Sequence, residues 1–169
     1  MMLLSESEEK RYIELQSLAL ESARSGDTEL LIGMLQAGMP VNLSDGRGNT
    51  LLMLAAYHGH EETTRILMEF GSDLERRNDH GQTPLGGVAF KGNLALARIL
   101  VEAGANVNAD NGGGKTPLMF AAMFGHRDIV AYLLEKGADS NSQTLLGISA
   151  QQLARMTGAV RSLGSLLSW

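Results

Sequence analysis

The sequence predicts an all-α solenoid of stacked helix-turn-helix units with projecting turns, and three observations carry that prediction. Gly26, Gly59, Gly92, Gly125 and Gly158 lie 33 residues apart. Helices repeat near 3.6 residues and strands near 2, so neither explains the interval, whereas a fixed period of roughly 20 to 50 residues marks a series of similar supersecondary units. Further columns keep the same period: Thr50, Thr83, Thr116 and Ser149; Gly48, Gly81, Gly114 and Gly147; Gly38, Gly71, Gly104 and Gly137. Between them, apolar pairs stay in register at Met34-Leu35, Leu67-Met68, Leu100-Val101 and Leu133-Leu134.

Taken in order, the chain opens with Ser5-Glu6-Ser7-Glu8, which has the spacing of a capping box. The first helix should start there and run longer than its counterparts. One domain over residues 1–169 then divides into five units. Tyr12–Ser44 is a degenerate N-terminal cap. Asp45–Arg77, Asn78–Asp110 and Asn111–Gln143 are internal repeats, and Thr144–Trp169 is a shortened C-terminal cap. Each unit reads as turn, short helix, tight turn, second helix, loop. In the clearest one, Thr116 suits an N-cap, and Pro117 suits the first helical position, where no N–H is needed. Leu118, Ala121 and Ala122 share one helical face. Gly125 can take positive φ and end that helix. Ile129, Val130, Leu133 and Leu134 continue the stripe in a second helix, which Gly137 terminates. In the last unit Gly147, Ser149, Ala150, Leu153, Ala154 and Gly158 keep the frame.

Thr83-Pro84-Leu85 and Thr116-Pro117-Leu118-x-x-Ala121-Ala122 resemble the ankyrin repeat motif, which has this same period. Ala55-Ala56-x-x-Gly59-His60, Gly104-Ala105-x-Val107-Asn108 and Gly137-Ala138-Asp139 extend the resemblance from about Tyr12 to the C-terminus. It implies structural roles for His60 and His126. It also exposes departures. The family usually places a turn-linking His two residues after the Pro, where this chain has Met53, Gly86 and Met119. The polar network between repeats should therefore be weakened or rerouted. Gly86-Gly87 interrupts a helix at roughly 1 kcal/mol per glycine, which points to close packing of neighbours or to a hinge.

Composition narrows the function classes. A chain of 169 residues, 44% hydrophobic and 20% charged, can bury a substantial core. The formal charge of -5 argues against nucleic acid and against a polybasic membrane anchor. Cysteine is absent, which excludes disulfides and thiolate chemistry. No apolar run suits a membrane span or signal peptide, so the expectation is a cytoplasmic monomer. No cofactor motif is present: Gly112-Gly113-Gly114 lacks the features of a phosphate loop. His58-x-His60 has no third metal ligand, and His80 sits on a turn tip. Asp45, Asp73, Asp79, Asp110 and Asp139 are scattered and form no acid–base pair, so no enzyme is expected.

The expected function is non-catalytic capture of a partner protein by the concave face and turn tips, the surfaces the ankyrin resemblance implies. Column by column, the tip positions are Arg47 and Asn49, His80 and Gln82, and Gly113 and Lys115. Arg77 and Asp110 precede the next turns. The helix-end positions are Tyr57 and His58, Phe90 and Lys91, and Met123 and Phe124. Tyr57, Phe90 and Met123 form an apolar stripe suited to anchoring a partner. An inhibitor or protective partner of an enzyme is the alternative, and a histidine-based enzyme or metal protein is a third reading.

Overall fold

The computed structural model of the protein describes residues 5–159. The chain divides into two compact units, Met1–Asp73 and Leu74–Trp169.

In the first unit, α1 (Glu6–Ser25) opens with the anticipated capping box: Ser5 Oγ accepts from Glu8 N, and Ser5 N donates to the Glu8 carboxylate at 2.8 Å. These bonds hold the exposed Glu8 carboxyl below its usual range, against a small opposing effect of burial. At 20 residues α1 is the longest helix among those described. Its C-terminal half buries Ala19, Ser22 and Ala23, packing on α2 (Thr28–Gln36) and α3 (Leu51–His58). α3 is buried over six consecutive residues, Leu51 to Ala56, as expected of a helix apolar on all sides. α4 (Glu61–Glu69) docks on α2, where the Thr28 and Thr63 hydroxyls share a buried hydrogen bond of 2.7 Å.

The second unit repeats the plan with α5 (Pro84–Lys91), α6 (Leu94–Glu102), α7 (Pro117–Met123), α8 (Arg127–Glu135) and α9 (Ala150–Thr157). The first helices α5, α7 and α9 pack in sequence, and the second helices α6 and α8 pack beside them. Leu85, Leu96, Leu100, Leu118, Ile129 and Leu133 form its fully buried centre. On the outer side, the Arg98 guanidinium lies 4.7 Å from the centre of the Tyr132 ring.

Capping follows the sequence columns. Thr50, Thr83, Thr116 and Ser149 each accept the backbone N–H three residues on. The 33-residue glycine column closes the first helix of each unit in left-handed geometry: φ is 79° at Gly26, 91° at Gly59, 85° at Gly92, 72° at Gly125 and 76° at Gly158. In α7 the cap itself is Phe124, with Gly125 one residue later. Short antiparallel bridges, Ser44 with Thr50 and Gln143 with Ser149, turn the loops into miniature hairpins.

Candidate protein-binding surface

Successive repeats within each unit are joined by side chains that reach across one period. His60 and His126 sit at the N-caps of α4 and α8, yet neither caps its own helix. Instead, His60 Nε2 donates to Arg24 O at 2.8 Å and His126 Nε2 to Phe90 O at 3.0 Å. Both acceptors lie in the last turn of the preceding first helix, where carbonyls have no intrahelical donor. The imidazoles lie directly against Gly26 and Gly92: a Cβ at either glycine would come within 2.5 Å of a ring atom. These glycines therefore serve two needs, positive φ and room for the ring. The last repeat has Ala159 in the histidine column, and Thr157 takes over, its hydroxyl donating to Met123 O at 2.6 Å.

A second column of links was not read from the sequence. Asn42 Oδ1 accepts from Asp73 N at 2.9 Å, Glu75 Oε1 from Asn106 N at 2.8 Å, and Asn108 Oδ1 from Asp139 N at 2.8 Å. Acceptors and donors both advance by 33 residues. The side-chain types vary, but each presents one carbonyl or carboxylate oxygen.

At Gly86 the network is rerouted. A Cβ there would overlap the Asn111 carboxamide oxygen, which fills the place the family's turn histidine would take. That oxygen accepts from Thr83 N at 2.7 Å and Thr83 Oγ1 at 3.0 Å, while Asn111 Nδ2 donates to Ala109 O at 2.9 Å. Gly86 is thus a packing device. At the other two departures from the pattern, Met53 and Met119 are buried.

Diverting Asn111 inward changes its turn. In the first two internal tips, Asp45 Oδ1 accepts from Arg47 N and Asn49 N, and Asn78 Oδ1 from His80 N and Gln82 N. In the third, Asp110 supplies the same pair of bonds, to Gly112 N at 3.0 Å and Gly114 N at 2.9 Å, one residue earlier. Three successive glycines with positive φ accommodate the shift. Asp110 also meets Arg77 at 3.7 Å, an ion pair half exposed on both sides. Burial raises the Asp45 pKa, but hydrogen bonds from the Asn49 side chain and the Arg47 and Asn49 amides, with the Arg24 charge, outweigh it. The carboxyl stays below its usual range.

The anticipated partner residues fall into two sets. Several spend polar atoms on the turns themselves: Asn49 Nδ2 donates to Asp45, Gln82 Oε1 accepts from Asn78, and Asp110 braces the third tip. Arg47 and His80 are exposed and Lys115 is half-buried. At the helix ends, Tyr57 and His58 are exposed, their rings edge-to-face at 5.6 Å.

In the second unit, Phe90 meets Phe124 edge-on with centroids 4.6 Å apart, and Phe120 beneath lies 6.3 Å from Phe90. Phe120 is 5% exposed and Phe124 47%. Phe90 and Met123 are half-buried, and exposed Lys91 stands beside them. Of the expected Tyr57, Phe90 and Met123 column, Phe90 lies in a cluster with Phe120 and Phe124, and Phe124 is its most exposed ring. The Phe124 ring also stacks on His126 at 6.4 Å. Phe120 was missed as the floor of this cluster, although its i, i+4 spacing to Phe124 is a usable signal.

Among the described residues, no three His, Cys, Asp or Glu side chains converge to hold a metal. None of the described helices is long and apolar enough to cross a membrane.

The chain is 50% identical over 44 residues to a Pseudomonas aeruginosa protein named for its ankyrin repeats, an alignment covering 26% of each chain. It is 39% identical over 66 residues to the human ankyrin repeat domain-containing protein 29, covering 38% of this chain and 22% of that one. The chain thus spans about a quarter of the length of these relatives. The family model for ankyrin repeats in three copies matches residues 19–111 and 78–144. With its period, its helix pairs and its Gly–His contacts in the same frame, the chain belongs to the ankyrin repeat family.

Proposed function

We propose that the protein is a non-catalytic binding module that captures a partner protein, with Phe124, Phe90 and Met123 as the anchoring patch of its second unit. Ankyrin repeats are generally protein-interaction modules, and the family is generally non-enzymatic. The observation that carries the reading is the exposed Phe124 ring, held edge-on by Phe90 over buried Phe120. A ring fixed in this way loses little freedom when covered, which is why aromatic residues dominate interface energetics.

Exposed Lys91 follows Phe90 in the chain, and tip residues Arg47, His80 and Lys115, with Tyr57 and His58, extend the contacts on their own repeats. An acidic margin on the partner suits this arrangement. We place the protein in the cytoplasm as a monomer, in keeping with its acidic, cysteine-free composition.

The test is affinity capture from native cells, with bound proteins identified by mass spectrometry. Phe124→Ala should lose the captured partner by about tenfold or more, a hot-spot effect above 1.4 kcal/mol, with an unchanged circular dichroism spectrum. Equal recovery by the folded variant would remove the patch from the binding surface.

A further inference from the structure

Asn111-Gly112 is the one Asn-Gly dipeptide in the chain, and it lies where the turn pattern breaks. Asparagine followed by glycine is chemically self-reactive, because glycine places no side chain in the way of attack by its own amide nitrogen. The other asparagines precede larger residues, as in Asn42-Leu43, Asn78-Asp79 and Asn141-Ser142.

We propose that Asn111 is a latent self-modification site, a deamidation site that the docked turn keeps silent and that opening of the turn releases. In the reaction, solvent base takes the Gly112 N–H proton and the nitrogen attacks Asn111 Cγ. A Gly112 N–Cγ bond forms, the Cγ–Nδ2 bond breaks, and ammonia leaves with the proton returned. Water then opens the five-membered imide to aspartate or to the β-linked isoaspartate, with no change of oxidation state.

The docked geometry opposes each part of this step. The Asn111 side chain is buried at 1% exposure, its oxygen taken by Thr83 N and Oγ1 and its nitrogen by Ala109 O. The nucleophile is engaged too, because Gly112 N donates to Asp110 Oδ1 at 3.0 Å. Attack therefore requires the turn to lift from Thr83 and Gly86.

Once it has occurred, the turn does not return to the same state. A carboxylate at position 111 has no N–H for Ala109 O and sets an anionic oxygen against that carbonyl. The isoaspartate form also lengthens the main chain next to the Asn111 N to Lys115 O bond of 2.7 Å. The site thus records past openings of this one turn.

The test follows the amide-to-acid mass change by peptide mapping of the full chain in warm, mildly alkaline buffer. In urea-unfolded chain Asn111 should convert ahead of every other asparagine. In native chain its conversion should be at least about tenfold slower, since local opening limits it. Gly86→Ala, whose methyl group displaces the carboxamide, should convert faster than the native protein while remaining folded by circular dichroism. Equal native and unfolded rates, another asparagine leading in the unfolded chain, or a folded Gly86→Ala variant no faster than wild type would each overturn the proposal. Should that variant not fold, wild type in sub-denaturing urea decides. The Asn111 rate must then rise in step with hydrogen exchange of the Thr83 amide, and a rate indifferent to urea overturns it.

Discussion

Gly86 shows how one residue can be wrong by local propensity and right by packing. Alanine there would gain roughly 1 kcal/mol of helix propensity. It would also expel the Asn111 carboxamide and leave the Thr83 N–H buried without an acceptor, at about 1–3 kcal/mol. Gly86→Ala should therefore lower stability by about 1 kcal/mol net, read as an earlier urea midpoint with unchanged slope. A later midpoint would mean that the carboxamide has an equally good second position. The vacancy at Gly86 was legible in the sequence as a departure from the family pattern. Its occupant was not, because Asn111 shares a column with Asp45 and Asn78, whose Oδ1 atoms accept from amides of their own turns. Column position gives the residue type, but the direction of the side chain depends on a neighbour 28 residues away in sequence.

At the scale of elements, the joints between helices carry the information. His126 closes a carbonyl at the end of α5 and covers Gly92. Truncation removes both the hydrogen bond and the packed ring, so His126→Ala should cost about 2 kcal/mol in thermal or urea unfolding. Asn would shorten the reach and should recover little. The structural role of this histidine was legible because the Gly-His pair recurs in register. The oxygen ladder at Asn42, Glu75 and Asn108 was not, since Asn and Glu share no motif, only an acceptor oxygen at a suitable distance.

The tip at Asp45 adds a dependence on acid. Its folded pKa lies below the unfolded value, so its contribution is complete above the unfolded carboxyl range and fades as pH falls through the folded value. Asp45→Asn keeps an acceptor for the turn, as Asn78 does in the next repeat, and removes the titration. Thermal midpoints measured from neutral to acid pH should therefore fall more for wild type than for Asp45→Asn. Parallel curves would show that Asp45 contributes no linkage.

At the scale of the whole molecule, architecture was legible well before any surface. The glycine column set the frame, and the helices follow it through capping and apolar spacing. The aromatic cluster was legible only in part. Tyr57, Phe90 and Met123 were visible as a column and Phe124 as a helix-end position, but the nearly buried Phe120 that lies 6.3 Å from Phe90 was not. Net charge makes a separate prediction. A chain carrying -5 repels phosphate backbones, so the mobility of duplex DNA in a gel should be unchanged by micromolar protein at physiological salt. A salt-sensitive shift would reveal a basic surface that the composition conceals.

The cross-repeat links also bear on how each unit assembles. Among the described side-chain bonds, those joining repeats span 21 to 36 residues. Closing each connection therefore carries nearly the same loss of chain entropy, since loop-closure cost varies only with the logarithm of length. None of these described bonds has to wait for a distant segment, which favours quick formation. Within each unit, any helix pair that forms first offers its neighbour a carbonyl and a glycine floor one period away, and folding can spread from whichever joint closes earliest.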